Sequence, residues 1–125
     1  MPLPSIHGVP TRDDGLAVLG ATGRIQYIDV YNVPITDAGI AALAPCKDLR
    51  WLGLEATRVT DGVVDALKGF AKLEGLRLED TAVTLAKMKE LASLQHLKYF
   101  YVSDNLLQLE LARALSSIPA FQPPD

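Results

Sequence analysis

Leu49-Arg50-Trp51-Leu52-Gly53-Leu54-Glu55-Ala56-Thr57-Arg58-Val59 decides the fold, because it returns 24 residues later as Leu73-Glu74-Gly75-Leu76-Arg77-Leu78-Glu79-Asp80-Thr81-Ala82-Val83. A third copy, Leu97 to Leu107, follows after the same interval. Working outward in rows of 24, apolar residues stack in columns. Leu19, Leu43, Leu67, Leu91 and Leu115 form one, and Thr22, Cys46, Phe70, Leu94 and Ile118 the next. Ile25, Leu49, Leu73, Leu97 and Phe121 form a third; Ile28, Leu52, Leu76 and Phe100 follow, then Val30, Leu54, Leu78 and Val102. Val33, Thr57, Thr81 and Asn105 make a mostly polar column, and Ile35, Val59, Val83 and Leu107 close the row. Seven columns run from Asp13 to Phe121 without an insertion. Self-similarity at a fixed period of this length marks a solenoid.

The spacing within a row says what each unit is. Leu67, Phe70, Leu73, Leu76 and Leu78 begin three apart and end two apart. The first spacing suits a helix and its exit, the second a strand with one face buried. Thr36-Asp37, Thr60-Asp61 and Arg12-Asp13 stand just before the helical pattern. Their side-chain oxygens are expected to accept from the orphan N–H groups of a helix start. Each row is then a short helix, a turn, a short strand and a turn. One such unit cannot bury its apolar stripe alone, but stacked units make a continuous core.

Leu49 to Val59 resembles the leucine-rich-repeat signature, with Thr57 at the Asn/Cys position, and Leu73 to Val83 and Leu97 to Leu107 resemble it too. The Thr-Asp pair before the helix in two rows, Ile35-Thr36-Asp37 and Val59-Thr60-Asp61, is similar to the helix-backed subtype of bacterial and F-box-associated repeats. The resemblance implies an α/β solenoid, a short right-handed horseshoe with a parallel sheet on the concave side and helices on the convex side. Strands are expected near Tyr27–Val30, Trp51–Leu54, Gly75–Leu78 and Tyr99–Val102. The whole of 1–125 reads as one domain: an N-terminal cap over 1–12, four repeats over 13–108, and a C-terminal helix and tail over 109–125. In the cap, Ile6 and Val9 fall in the columns of Val30 and Val33. At the other end a helix is expected over Leu109 to Ser117, with Ile118 and Phe121 anchoring the tail against the last strand.

Composition narrows the function. Of 125 residues 49% are hydrophobic, enough for a core, yet no apolar run is long enough to suggest a membrane span. Twelve basic and 15 acidic residues give a net charge of −3, against the basic footprint of a nucleic-acid binder. A lone cysteine makes no internal disulfide, and Met1 to Pro10 lack a basic cluster followed by an apolar block; both favour a cytoplasmic setting.

Chemistry-bearing residues are sparse. Cys46 shares its column with Phe70, Leu94 and Ile118 and reads as a small core residue. His7 and His96 lie far apart in the register, so no metal site is expected, and no cofactor. Gly20-Ala21-Thr22-Gly23-Arg24 follows a helix and precedes a strand, the reverse of the order a phosphate-cradling loop needs. Glu55, Glu79, Asp80 and Asp104 read as a solvated acidic rim rather than a catalytic pair. No convergent polar constellation of an enzyme is present.

The residues alternating with the core leucines are the candidates for function. Tyr27, Trp51, Gly75 and Tyr99 form one column, Asp29, Gly53, Arg77 and Tyr101 the next, and Tyr31, Glu55, Glu79 and Ser103 a third. Two strand spacings would set Trp51 and Tyr99 about 10 Å apart across Gly75. The expectation is a notch there, widened by Gly53 and flanked by the Arg77 cation, since glycine in a strand often marks close approach by another molecule. Aromatic residues and Arg dominate binding hot spots. The favoured reading is a non-catalytic module that binds a protein partner through its concave face, with no nucleic acid and no membrane. Two alternatives stand beside it. A small structural subunit of a larger assembly would bind by its ends or convex face. The substrate-recognition part of an F-box-like adaptor would need an upstream helical segment, for which there is no room before Asp13. The sequence does not set the oligomeric state.

The register has a direct test. Leu76→Ala should lose about 2–5 kcal/mol, as buried leucine deletions do. Glu74→Ala, two residues earlier, should change stability by no more than about 0.5 kcal/mol. Denaturant melts of the two variants decide it, and equal losses would mean the register is misassigned.

Overall fold

The computed structural model describes residues 5–7 and 12–122. Five strands alternate with five helices: β1 (Ser5–His7), α1 (Asp13–Gly20), β2 (Tyr27–Tyr31), α2 (Asp37–Ala41), β3 (Trp51–Glu55), α3 (Val63–Lys68), β4 (Gly75–Arg77), α4 (Leu85–Met88), β5 (Tyr99–Tyr101) and α5 (Asn105–Ala114). α4 runs on into a 3-10 turn over Lys89–Ser93. The strands form one parallel sheet in chain order, and each pairs with the next. From β2 onward the register follows the repeat: Tyr27 lies beside Trp51, Trp51 beside Gly75, and Gly75 beside Tyr99.

The predicted columns are the core. Ile28, Leu52 and Leu76 are wholly buried from the strand side, and Leu43, Leu67, Leu91 and Leu115 from the helix side. Cys46 is buried among them, its Sγ 3.7 Å from the carbonyl of Gly20. Parallel strands need a crossover between them, and here each crossover is the helix that covers the strand's inner face. Stacking the rows therefore makes both the sheet and the core at once.

Three ladders of hydrogen bonds tie row to row. At the strand starts one carbonyl accepts two amides of the next row: Gln26 from Arg50 and Trp51, Arg50 from Glu74 and Gly75, and Glu74 from Lys98 and Tyr99. At the strand ends Asn32, Ala56 and Asp80 each adopt a left-handed conformation, with φ of 54°, 58° and 54°. That turn aims the Asn32 amide at the Glu55 carbonyl and the Ala56 amide at the Glu79 carbonyl. Asp80 departs, its amide donating to the Ser103 hydroxyl. Thr57 and Thr81, at the Asn/Cys positions, close the same turn inside their own row by donating to the carbonyls of Leu54 and Leu78.

The third ladder corrects the sequence reading of the helix starts. Thr36 and Thr84 do cap their helices, accepting from the amides of Ala38 and Lys87, and the Thr60 hydroxyl accepts from Gly62. The aspartates do not cap. The Asp13 carboxylate accepts from both the amide and the hydroxyl of Thr36, 23 residues on. Asp37 does the same for Thr60, and Asp61 for Thr84. Row four has Leu85 where the aspartate would stand, and Arg12 at the head of row one caps nothing with its side chain.

Both ends depart from the 24-residue register. Ile6 pairs with Ile28, not Val30, so the first interval is 22 residues. The slip is even in number, so it preserves the alternation of faces. Val9 lies outside the described residues. α5 begins at Asn105, four residues before the expected start, because Asp104 accepts from the Leu107 amide as an N-cap. Asn105 and Leu107 therefore belong to a helix rather than to the polar turn of Thr57 and Thr81. Ile118 is buried, Phe121 packs against the core, and the Gln122 amide donates to the Lys98 carbonyl, repeating the strand-start bond once more. The remaining tail residues, 123–125, lie outside the described residues.

The aspartate ladder predicts an asymmetry among carboxylates. Asp37→Ala strands two donors of Thr60 and should cost about 1–2 kcal/mol. Asp65→Ala, on a side chain 81% exposed, should cost less than about 0.5 kcal/mol. Chemical denaturation of both variants checks it, and equal costs would remove the ladder from the account.

Candidate functional site

The outer face of the sheet carries all the candidate side chains on a rigid parallel frame. Its first column is two different surfaces. Tyr27 and Trp51 stack with ring centroids 5.7 Å apart and planes 8° from parallel. Trp51 also reaches over the next strand, for a Cβ on Gly75 would collide with the Cε3–Cζ3 edge of its six-membered ring. The expected notch between Trp51 and Tyr99 is therefore filled, and it is filled by Trp51 itself. Gly75 is buried, and its missing side chain makes room for the indole of the neighbouring row. Burial extends to the indole nitrogen, Nε1, which has no hydrogen-bond partner among the described residues.

Gly53 repeats this one column over. A Cβ there would strike the Asp29 carboxylate, which folds across the glycine from the row before. Both glycines mark close approach, as the sequence suggested, but the approaching group is the chain's own side chain. Neither glycine widens a notch.

Arg77 is a committed cation. Its guanidinium forks onto Glu79, with Nε 3.1 Å and 3.2 Å from the two carboxylate oxygens and one terminal nitrogen bonded to the second. The same group stands 3.8 Å from Glu55 and 5.3 Å from the centre of the Tyr101 ring. Hydrogen bonding to Glu79 outweighs desolvation and, with the nearby carboxylates of Glu55 and Asp29, raises the Arg77 pKa. The Glu79 side chain is only 14% exposed, so it belongs to a clamp rather than to a solvated rim. Arg77 and Glu79 are two apart on one strand and share a face, a signal the spacing carried. Asp80 and Asp104 are exposed, bonded respectively to Ser103 and to the start of α5.

The exposed aromatic residues on this face are tyrosines. Tyr31 is 64% exposed, Tyr99 38% and Tyr101 36%. The exposed sheet face thus reads, across the strands, as a stacked Tyr27–Trp51 plate, an Arg77 clamp, and tyrosines at both ends. Elsewhere, one open hollow is lined by Arg12, Asp13, Asp14, Pro34 and Arg58, and another by Lys89, Glu110, Arg113 and Ala114. Each mixes charges of both signs, and neither sets a nucleophile beside a base. Among the described residues no three His, Cys, Asp or Glu side chains converge as metal ligands, and no helix is long and apolar enough to cross a membrane. His96 is exposed at the turn before β5.

No family model matches the chain, and no curated protein matches it by sequence. Among solved structures it is similar to an internalin from Listeria monocytogenes, with a TM-score of 0.66, 18% sequence identity and 86% of this chain covered. The chain spans 30% of that protein's length. At this identity the likeness concerns the fold, and the fold is a leucine-rich-repeat solenoid.

The seating of Trp51 on Gly75 has a spectroscopic handle, because Trp51 is the sole tryptophan. Gly75→Ala forces the indole off the strand and should cost about 1–3 kcal/mol, as overpacking does. It should also shift Trp51 emission to the red as the ring meets water. Unchanged emission and an unchanged melt would show that the ring does not lie there.

Proposed function

We propose that this leucine-rich-repeat solenoid is a non-catalytic module that recognises a protein partner through the exposed face of its sheet. The observation that carries the reading is the exposure of Tyr31, Tyr99 and Tyr101 on that face. Strand positions there have no core to serve, and tyrosine offers a large, rigid contact area with a polar tip, which is why it concentrates at interfaces. Repeat solenoids present extended surfaces of this kind to macromolecules. The partner-contacting set is Tyr27, Trp51, Arg77, Tyr99 and Tyr101, with Asp29, Tyr31, Glu55 and Glu79 beside them. Gly53 and Gly75 enter as seats for neighbouring side chains rather than as contacts. The reading keeps the helix-backed repeat subtype of bacterial and F-box-associated proteins, on the strength of the Thr-Asp pairs, and a cytoplasmic setting on the lone cysteine.

The alternative of a structural subunit gathered by its helical side is favoured by one observation, the 72% exposure of Val18 on α1. Site-directed photo-crosslinking separates the two. A photo-reactive phenylalanine analogue replaces Tyr101 in one protein and Val18 in another, and each is irradiated in the cells that make it. Discrete protein adducts from position 101 and none from position 18 are expected. Adducts from position 18 alone would overturn the sheet-face reading.

A further inference from the structure

We infer that the sheet face takes a basic segment of its partner, with Tyr31, Asp29 and Glu55 receiving a lysine or arginine side chain. The inference rests on the recognition reading above and supplies its partner chemistry.

Charge on this face is lopsided. Of the chain's 12 basic residues, one, Arg77, stands in the three outward columns of β2 to β5. Three carboxylates share those columns: Asp29, Glu55 and Glu79. Arg77 is spent on Glu79, which it grips with both sides of its fork, and it reaches Glu55 only at 3.8 Å. Elsewhere several basic residues are paired with carboxylates away from these columns, Lys72 with Asp48, Lys68 with Glu90, and Lys98 with Glu74. The outward columns therefore keep a net negative charge at the β2–β3 end.

The geometry there suits a cation. Tyr31 pairs in register with Glu55 across β2 and β3, so their side chains stand side by side about 4.8 Å apart. Asp29 precedes Tyr31 by two residues and shares its face. Its carboxylate lies over Gly53, itself two residues before Glu55. An open tyrosine ring flanked by two carboxylates offers an ammonium or guanidinium both a π face and charge-assisted hydrogen bonds. Other occupants fit less well. Nucleic acid and acidic peptides would bring like charge against Asp29 and Glu55. A second copy joined face to face would set two net-negative surfaces against each other.

The test uses the full chain and two fluorescein-labelled disordered peptides, one of Lys-Gly-Leu-Arg-Ser repeats and one of Glu-Gly-Leu-Asp-Ser repeats, followed by fluorescence anisotropy. The basic peptide should bind and the acidic one should not. Asp29→Asn with Glu55→Gln, which keeps side-chain shape, should weaken binding about tenfold, the loss expected for charge-assisted hydrogen bonds. Asp65→Asn with Glu110→Gln removes the same charge from the helical side and should leave binding within about twofold, as distant exposed charges are screened. Should the first pair fail to fold, Tyr31→Ala decides, since a ring 64% exposed contributes little to packing. Equal weakening by both pairs, no weakening by Tyr31→Ala, or no binding of the basic peptide would each overturn the inference. Adducts from position 101 alongside a failed peptide series would leave the recognition face standing and remove only the basic partner. Adducts confined to position 18 would remove both.

Discussion

A row of this chain has an apolar stripe and nothing of its own to bury it against, so each row is shaped by its neighbours. The backbone answers at three levels: paired amides at the strand starts, left-handed turns at the strand ends, and an Asp–Thr bond at the helix starts. Each ladder depends on the same interval, and an insertion within a row would break all three together. That explains why the register holds without interruption through the middle of the chain, where every row lies between two others, and shifts at the first interval and at α5.

The same dependence shapes the outer face. Trp51 reaches forward onto Gly75, and Asp29 reaches forward onto Gly53. Arg77 reaches back towards Glu55 and forward to Tyr101. Side chains that lean on the next row become part of the scaffold, and what they leave uncovered is the centre of the face proposed for recognition. Tyr31 stands open beside Glu55, Tyr101 beside Arg77, and Tyr99 beside a Gly75 that Trp51 already covers. Ala56 shows the demand on the backbone from the other direction: an alanine held at φ 58°, a region L residues with a Cβ disfavour, persists because the amide it aims completes a ladder.

Periodicity made the fold legible. The Leu52 and Leu76 columns, the parallel order and the strand centres all follow from the 24-residue interval, because burial repeats wherever the row repeats. Less could be read where one residue type serves two purposes. Asp13, Asp37 and Asp61 sit where an N-cap would, and only the constant 23-residue offset to a threonine hinted that they bond to the next row. Asp104 at the end of row four matched the acidic strand-exit positions, yet it starts a helix. Gly75 and Gly53 signalled close approach correctly, but sequence cannot say which molecule approaches. An indole one row away reached Gly75 first.

Rows are held by bonds reaching from one helix start to the next, and amide hydrogen exchange reads those bonds residue by residue. Thr36, Thr60 and Thr84 lie just before helices, in turn segments where amides ordinarily exchange fast. Here each donates to an aspartate of the preceding row. Their exchange should be slowed to the level of Glu74 and Lys98, whose amides bond to the strand behind. Removing Asp37 should release Thr60 alone and leave Thr36 and Thr84 protected. Fast exchange at all three threonines in the native protein would contradict the account.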